Sequence, residues 1–487
     1  MLMQTALVAL AATAVSAVKP LKLQGTDFVD QHGNKFQIVG AAYQPGGSSG
    51  YDPEKGKDPL SDPETCMRDA ALMQILGMNT IRVYNLDPNA NHDECASIFN
   101  AAGMYMILDV NSPLVGEALS SWQPWTSYYT AYVERTFAIV EAFKNYPNTL
   151  MFFMGNEVIN DIDSAKDVPP YLRAVTRDIK TYIKKHSSRA IPVGYSAADV
   201  REVLWDTWNY MQCTDNGKAD DLSRADVFAI NSYSWCGPDA TYKTSSYDVL
   251  TDGFSNSSVP VFFSEFGCNT PAPRYWNEIQ AIYGDEMTHS FDGAVAYEWT
   301  EEDNHYGLVQ IQDGTLQIMG DFNRLKAQFA KVDWKSVQSQ AAAKSSPAPP
   351  KCSEGLIKED GFNSNFTLPV PPPGTQDLID KGIKNAPSGK LVKISDWSVK
   401  LPVKDSDGNV MKDLKVVPLS DDENNVIGKN KADTGSTNDT SSDSPNKDIS
   451  KGVDNGSSDS TKPASAGAMT SPVAWAMALP LLALFLA

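Results

Sequence analysis

The chain of 487 residues holds 41 Lys and Arg against 60 Asp and Glu, a net charge of −19, and its hydrophobic residues make up 42%. That hydrophobic share supports a packed core and excludes a chain disordered throughout. The acidic excess excludes the basic footprint needed by nucleic-acid binders and by proteins docking through charge on anionic lipid, so nucleic acid is not an expected partner.

Residues 1–17 are apolar and uncharged, with Val15 and Ala17 at the −3 and −1 positions of a cleavage site, and read as a secretory signal peptide. Eight β-rich apolar runs follow: Phe36–Tyr43, Asn79–Tyr84, Met104–Val110, Thr149–Met154, Ile191–Ser196, Asp226–Asn231, Val259–Ser264 and Gly293–Trp299. Near-continuous apolar runs are the pattern of parallel strands buried on both faces. Helical stretches lie between them. Asp62–Gly77 opens with Asp-Pro and closes at Gly, Trp125–Tyr146 stops at Pro147, and Pro169–His186 ends in basic residues that suit a helix C-terminus. This alternation predicts an α/β fold, a (β/α)8 TIM barrel over 18–335. A doubly wound nucleotide fold would need a Gly-rich phosphate turn after the first strand. The turn here, Tyr43-Gln44-Pro45-Gly46-Gly47, has no G-x-G-x-x-G pattern.

Beyond the barrel, 336–350 is rich in Ala, Ser, Lys and Pro and reads as a linker. Residues 351–420 read as a small appendage of few strands that packs on the barrel, with β-like patches at Lys390–Ile394 and Leu414–Val417. Residues 421–472 read as a disordered, low-complexity polar stalk. The closing apolar segment 473–487 is uncharged and shorter than a membrane span of about 20 residues. With a polar spacer and the small residues Asn455-Gly456-Ser457 upstream, it reads as a GPI-anchor signal; Asn455 is the ω candidate, with Ser457, Ser458, Ser460 and Ser465 in competition.

Two such signals place the mature protein on the outer leaflet of a plasma membrane or in a cell wall, an oxidising setting. Cys66, Cys95, Cys213, Cys236, Cys268 and Cys352 are therefore expected to form three disulfides, with 15 pairings open. No Cys or His spacing matches a metal site, and neither a metal nor an organic cofactor is expected. Sequons make Asn256, Asn365 and Asn438 expected surface glycan acceptors; Asn455 is a fourth, in conflict with its ω assignment.

In a barrel of this kind chemistry sits at the C-terminal ends of the strands. The fourth run ends in Gly155-Asn156-Glu157, and the seventh runs into Ser264-Glu265-Phe266-Gly267. Two carboxyls on one cleft, one protonated and one ionised, are what glycosidic bond cleavage uses. An amide beside the acid, as in Asn156, suits the sugar 2-OH, a contact that strengthens in the transition state. The other strand ends bring Gln44, Arg82, Tyr84, Asp109, Asn111, Asn231, Tyr233, Trp235, Tyr297, Glu298 and Trp299. Together they describe an open cleft of aromatic faces and hydrogen-bonding groups, suited to a polysaccharide.

The segments GAAYQPGG, IRVYNLDP, FFMGNEV, INSYSWCG, SEFGCN and AYEW resemble the fungal cell-wall β-1,3-glucanosyltransferases of glycoside hydrolase family 72, over about residues 20–335. The resemblance implies a GPI-anchored enzyme that cuts β-1,3-glucan internally and passes the new reducing end to the non-reducing end of another glucan. It implies Glu157 as acid/base, Glu265 as nucleophile, and Gln44, Tyr84, Asp109, Asn156, Tyr233, Tyr297 and Trp299 as substrate contacts. It also implies the pairings Cys66–Cys95, Cys213–Cys352 and Cys236–Cys268. Three departures stand out. Phe266 replaces an expected Tyr, the run Ser112–Trp122 does not match, and the single Cys after Cys268 excludes the Cys-rich module that some members carry. The partners expected are donor and acceptor glucan chains and the membrane; no protein partner is implied. A retaining mechanism requires carboxyls about 5–5.5 Å apart, against about 6.5–9.5 Å for inversion. The alternatives are a retaining endo-β-1,3-glucanase and a non-catalytic glucan-binding wall protein.

Overall fold

The computed structural model describes residues 18–438 apart from 216 and 219. The signal segment, Asn455 and the apolar tail lie outside the described residues, as does the stalk after Asn438.

All eight apolar runs form strands: β1 (Ile38–Ala42), β2 (Thr80–Val83), β3 (Tyr105–Asp109), β4 (Thr149–Asn156), β5 (Val193–Ala198), β6 (Val227–Ser232), β7 (Val261–Phe266) and β8 (Gly293–Ala296). Each pairs in parallel with the next, and β8 closes on β1, with Ala294 beside Val39. Each strand is followed by a helix: α1 (Pro63–Leu76), α2 (Asp93–Ala101), α3 (Thr130–Phe143), α4 (Val168–His186), α5 (Arg201–Gln212), α6 (Tyr247–Phe254), α7 (Ile279–Ile282) and α8 (Gly320–Phe329).

The alternation of strand side chains produces two cores. Tyr105, Ile107, Met151, Phe153, Phe262 and Val295 fill the barrel interior, while Met106, Leu108, Phe152 and Phe263 face the helices. A hairpin (Lys22–Gln24 with Asp27–Val29) sets Phe28 into the interior cluster, edge-on to Phe262 at 6.4 Å. Beside it, the buried Lys35 ammonium lies 2.7 Å from both Asp27 and Asp292, the latter just ahead of β8.

The local signals act as read in α1. The Asp62 carboxylate accepts from the Glu64 and Thr65 N–H groups, and Gly77 closes the helix at φ 83°. Trp125–Tyr146 departs from the expected single helix. A turn at Pro124–Ser127 is separated from α3 by Tyr129, whose backbone is extended. The break lets the buried Tyr128 hydroxyl reach Asp178 on α4 at 2.5 Å.

The C-terminal region differs most from expectation. Residues 351–438 form a belt on the barrel: the appendage packs against it, as expected, and the first part of the expected stalk continues the belt. Its only strand pairing with a named strand is β11 (Val403–Lys404) beside β10 (Thr315–Ile318), itself paired with β9 (Val309–Gln312); Lys390–Ile394 is not a strand. The belt starts at the Cys213–Cys352 bridge and stacks Phe366 on Tyr210 of α5 at 4.4 Å. It continues past α4, where His186 Nε2 lies 2.7 Å from the Ile379 carbonyl, and α2, where Ser97 Oγ accepts from Val392 N–H at 2.8 Å. The first part of the predicted stalk is docked too. The Asn425 amide, fully buried, donates to the Met78 carbonyl at 2.7 Å, and Asn323 on α8 donates to the Thr434 and Ser436 carbonyls at 2.8 and 2.6 Å. The linker is held as well, through Ala341 bridged to Asn34 and Ala343 N–H bound to Asp27. Polar composition misled because these segments are held by backbone and amide hydrogen bonds more than by an apolar face.

All three disulfides implied by the resemblance are present, Cys66–Cys95, Cys213–Cys352 and Cys236–Cys268. Asn256, Asn365 and Asn438 are exposed.

Candidate active site

Asn156 and Glu265 reach the barrel mouth through a one-residue slip in each of their strands. Along β4, Phe153 pairs with Gly194 and Asn156 with Ser196, so β4 carries one extra residue. Along β7, Ile230 pairs with Phe263 and Asn231 with Glu265, again with one extra residue on β7. Such bulges re-aim side chains near active sites. Strict alternation would have turned Asn156 and Glu265 toward the helices. With the bulge, Ser264 and Glu265 both serve the mouth, and Phe266 packs outward, edge-on to Trp276 at 5.7 Å. The phenol missing at Phe266 is thus on the far side of the strand from the nucleophile. Gly267 follows at φ 118°, where a Cβ would meet the Trp276 ring at 2.6 Å.

Arg82, on β2 and fully buried, organises the site. Its Nε and Nη2 donate to the two Asp109 oxygens at 3.3 and 3.0 Å, and Nη2 also to Asn156 Oδ1 at 2.8 Å. Nη1 donates to Glu265 Oε1 and to the Ser264 carbonyl, both at 3.1 Å. Burial alone would lower the guanidinium pKa, but Asp109, Tyr84 and Glu265 outweigh it and raise it above its usual value. Its face lies over the rings of Tyr84 and Phe153, at 4.4 and 4.8 Å.

Glu265 accepts from three donors: Arg82 and Tyr84 (2.9 Å) on Oε1, and Tyr233 (2.7 Å) on Oε2. Burial first, and the neighbouring carboxylate, push both phenols well above their usual pKa and keep them as donors. A carboxyl surrounded only by donors is satisfied as the acceptor-only carboxylate.

Glu157 has a different setting. Its Oε1 accepts one bond, from Asn231 Nδ2 at 2.8 Å. Burial chiefly, and then the charge of Glu265, push its carboxyl up to about 7, against the opposing Asn231 bond and Arg82. Its backbone is left-handed at φ 49°, held by its N–H on the Ser196 carbonyl at 2.8 Å. A non-glycine residue there stores of order 1–3 kcal/mol of strain, as functional sites often do. One mouth thus holds a carboxyl that keeps its proton up to about pH 7 and a second carboxyl held by three donors, the kind of pair that glycosidic bond cleavage uses.

Several expected contacts are in place. Asn156 Oδ1 is taken by Arg82, by Asn231 Nδ2 at 3.0 Å and by Ser196 Oγ at 2.8 Å, so Nδ2 of this exposed side chain is the group left for a sugar hydroxyl. Tyr84, Tyr233 and Tyr297 are half-buried around Glu265, with Tyr297 edge-on to the other two at 6.5 and 6.1 Å. Gln44 is half-buried in the turn after β1. Asp109 is 4% exposed, and both its oxygens accept from Arg82. One expectation is corrected. Trp299 has no exposed surface and packs its ring on Phe322, 6.3 Å away, offering no face to a ligand.

The sequence reading missed Ser196 and Ser264, whose hydroxyls lie 2.9 Å apart and each within 3.0 Å of Asn231 Oδ1, and Tyr306, edge-on to Tyr233 and Tyr297 at 5.6 and 5.4 Å. A hydroxyl inside an otherwise apolar strand was the available signal for the serines. On the rim, burial pushes the Glu298 carboxyl up to about 8, with Glu302 and Glu265 adding to it and the Asn304 amide, at 2.8 Å, opposing.

The raised pKa of Glu157 has a consequence for stability. The folded state holds this proton more tightly than the unfolded chain, so the contribution is complete below about pH 4.5 and is lost as pH rises through about 7. Glu157→Gln cannot ionise. Relative to the wild type it gains roughly 1–3 kcal/mol between those limits in denaturant unfolding. Parallel pH dependences of the two proteins would contradict the assignment.

The family model described as Glucanosyltransferase, glycoside hydrolase family 72, matches residues 10–333. The 1,3-beta-glucanosyltransferase gel2 of Aspergillus fumigatus is 52% identical over 426 residues, 87% of this chain and 88% of its own. The 1,3-beta-glucanosyltransferase GAS4 of Saccharomyces cerevisiae is 41% identical over 381 residues, 78% of this chain and 79% of its own. Among solved structures, a Glu→Gln variant of Saccharomyces cerevisiae Gas2p in complex with laminaritetraose and laminaripentaose superposes with a TM-score of 0.63 at 36% identity, covering 74% of this chain and 75% of that one. The chain therefore belongs to the glucanosyltransferases of glycoside hydrolase family 72.

Proposed function

We propose that this protein is a β-1,3-glucanosyltransferase that works by retaining double displacement in fungal cell-wall assembly. The observation that carries the reading is the division of labour between the carboxyls: Glu265 held by three donors, Glu157 kept protonated with a carboxyl pushed up to about 7. The relatives' name, 1,3-beta-glucanosyltransferase, and the laminari-oligosaccharides bound to Gas2p support the donor chemistry.

In the first half-reaction a Glu265 oxygen attacks the anomeric carbon of the donor. The bond to the leaving sugar breaks, and Glu157 gives its proton to the departing oxygen. Asn156 Nδ2 is the donor available to the 2-OH. Ester formation removes the charge of Glu265, one of the two causes that hold Glu157 protonated, so Glu157 becomes a better base once it has acted as acid. In the second half-reaction the hydroxyl at the non-reducing end of an acceptor glucan attacks, Glu157 takes its proton, and Glu265 leaves as carboxylate. Transfer outruns hydrolysis when acceptor subsites hold that hydroxyl in line at a higher effective concentration than water.

The test is a product-length profile on reduced laminari-oligosaccharides. Products longer than the input, absent in Glu265→Gln, are expected. Only shorter products would make the protein a hydrolase, and full activity in the variant would remove Glu265 from the nucleophile role.

The same reading takes the mature protein to the cell surface through the signal segment 1–17 and a GPI anchor near Asn455. The three disulfides and the exposed sequons Asn256, Asn365 and Asn438 support an extracellular, glycosylated form. Phosphatidylinositol-specific phospholipase C is expected to release the enzyme from intact cells. Retention after treatment would refute the anchor.

A further inference from the structure

The loop between β8 and β9 carries Tyr297 and Tyr306, whose rings meet edge-on and both abut Tyr233 beside Glu265. Its backbone is pinned from one side. Arg274, paired with Asp321 at 2.5 Å, donates to the Tyr297 and Tyr306 carbonyls at 2.6 Å each. Asn269 Nδ2 donates to the Asn304 and His305 carbonyls at 2.8 and 3.0 Å. The Glu298 N–H donates to the Tyr306 carbonyl at 3.0 Å, which closes the two tyrosine positions into one wall.

On the other side the loop is held by a pair of carboxyls that the displacement chemistry does not use. Glu298 is 2% exposed. Its Oε1 accepts from Asn304 Nδ2 at 2.8 Å, and its carboxyl hydrogen-bonds the carboxyl of Glu302. Ionised carboxylates only accept, so a bond between two carboxyls needs a proton on one of them. Glu302 in turn lies against the turn after β1, where a Cβ on Gly47 would stand 2.6 Å from its carboxyl carbon. That turn is closed by the Gly47 N–H on the Gln44 carbonyl at 2.9 Å. The pair thus bridges the tyrosine wall to the turn of Gln44, at the seam where β8 closes on β1.

We infer that Glu298 is a positioning residue for glucan binding: sharing one proton with Glu302, its carboxyl locks the wall of Tyr297 and Tyr306 against the Gln44 turn. The inference rests on the proposed glucan chemistry of the cleft. Burial first, then the negative charges of Glu302 on its own loop and Glu265 on β7, keep the proton on Glu298 up to about 8, against the Asn304 bond. The neighbouring cation, Arg274, is taken up by Asp321 and by the loop carbonyls. Glu301 is engaged by His305 Nδ1 at 2.9 Å and by the Gly307 N–H at 2.7 Å, and Asp303 and His305 are exposed. The turn Gln44–Gly50 contains no charged residue. When Glu298 ionises, the bond to Glu302 becomes a repulsion and the wall comes loose from the turn.

The experiment measures laminaripentaose binding by calorimetry between about pH 6 and about pH 9 in the full chain carrying Glu157→Gln, in which turnover is blocked and position 157 cannot titrate. Near-UV circular dichroism of the free protein is recorded over the same range. The dissociation constant should rise about fivefold, the order of one hydrogen bond. Its midpoint should be about 8, and the tyrosine signal should change with it. Adding Glu298→Gln, whose amide donates to Glu302 and accepts from Asn304 at any pH, should abolish both changes. Adding Glu298→Ala should weaken binding by the same factor already at about pH 6. Absence of the alkaline loss, its persistence in Glu298→Gln, or undiminished binding in Glu298→Ala would overturn the proposal. If Glu298→Ala does not fold, the comparison with Glu298→Gln decides alone. If laminaripentaose does not bind at any pH, the glucan reading fails by itself, and the circular dichroism transition still decides the carboxyl pair.

Discussion

The buried guanidinium of Arg82 is the interaction on which the catalytic mouth depends. A lone cation in a barrel interior costs several kcal/mol, and partners must offset that cost. Arg82 has five N–H groups, and Asp109, Asn156, Glu265 and the Ser264 carbonyl supply five acceptor contacts within 3.3 Å. The allocation decides the chemistry. The cation bonds directly to Glu265 but not to Glu157, which receives only an amide. One mouth thereby holds a carboxylate and a carboxylic acid.

The two ends of the barrel solve opposite problems. At the base, the hairpin phenylalanine and the Lys35 triad with Asp27 and Asp292 close the interior. At the mouth, the chain keeps strain and polarity: two bulges, a left-handed glutamate, and an asparagine and two serines bonded to one another. Conservation of a stable base and variation at the mouth is the general division of labour in this architecture. The belt adds a third element. It bonds to helices on the outside of the barrel and is tied at Cys213–Cys352, so chain that looks like a tether by composition is part of the enzyme body up to Asn438.

Much of this was legible in the residues. Apolar runs too continuous for amphipathic sheet gave eight parallel strands, and a polar residue ending such a run pointed to the mouth, which found Glu157, Glu265 and the tyrosines. What stayed hidden depends on pairing between strands. The bulges on β4 and β7 are offsets against neighbouring strands, with no local signature. Strand-end position alone also did not show which partner a side chain would take. Asp109 turned to Arg82 and Trp299 to Phe322. The belt was misread because Asn425 and Thr434 look like solvated polar chain, yet both are buried and bonded.

The central claim is that Glu157 stays protonated because it is buried beside an ionised Glu265. Carboxyl titration of Glu157, read by isotope-edited infrared difference spectroscopy in the wild type and in Glu265→Gln, tests it most directly. The account predicts a midpoint of about 7 in the wild type and a clear fall in the variant, where the neighbouring charge is gone. A wild-type midpoint in the ordinary carboxylate range, or one that does not move when Glu265 is neutralised, would contradict it.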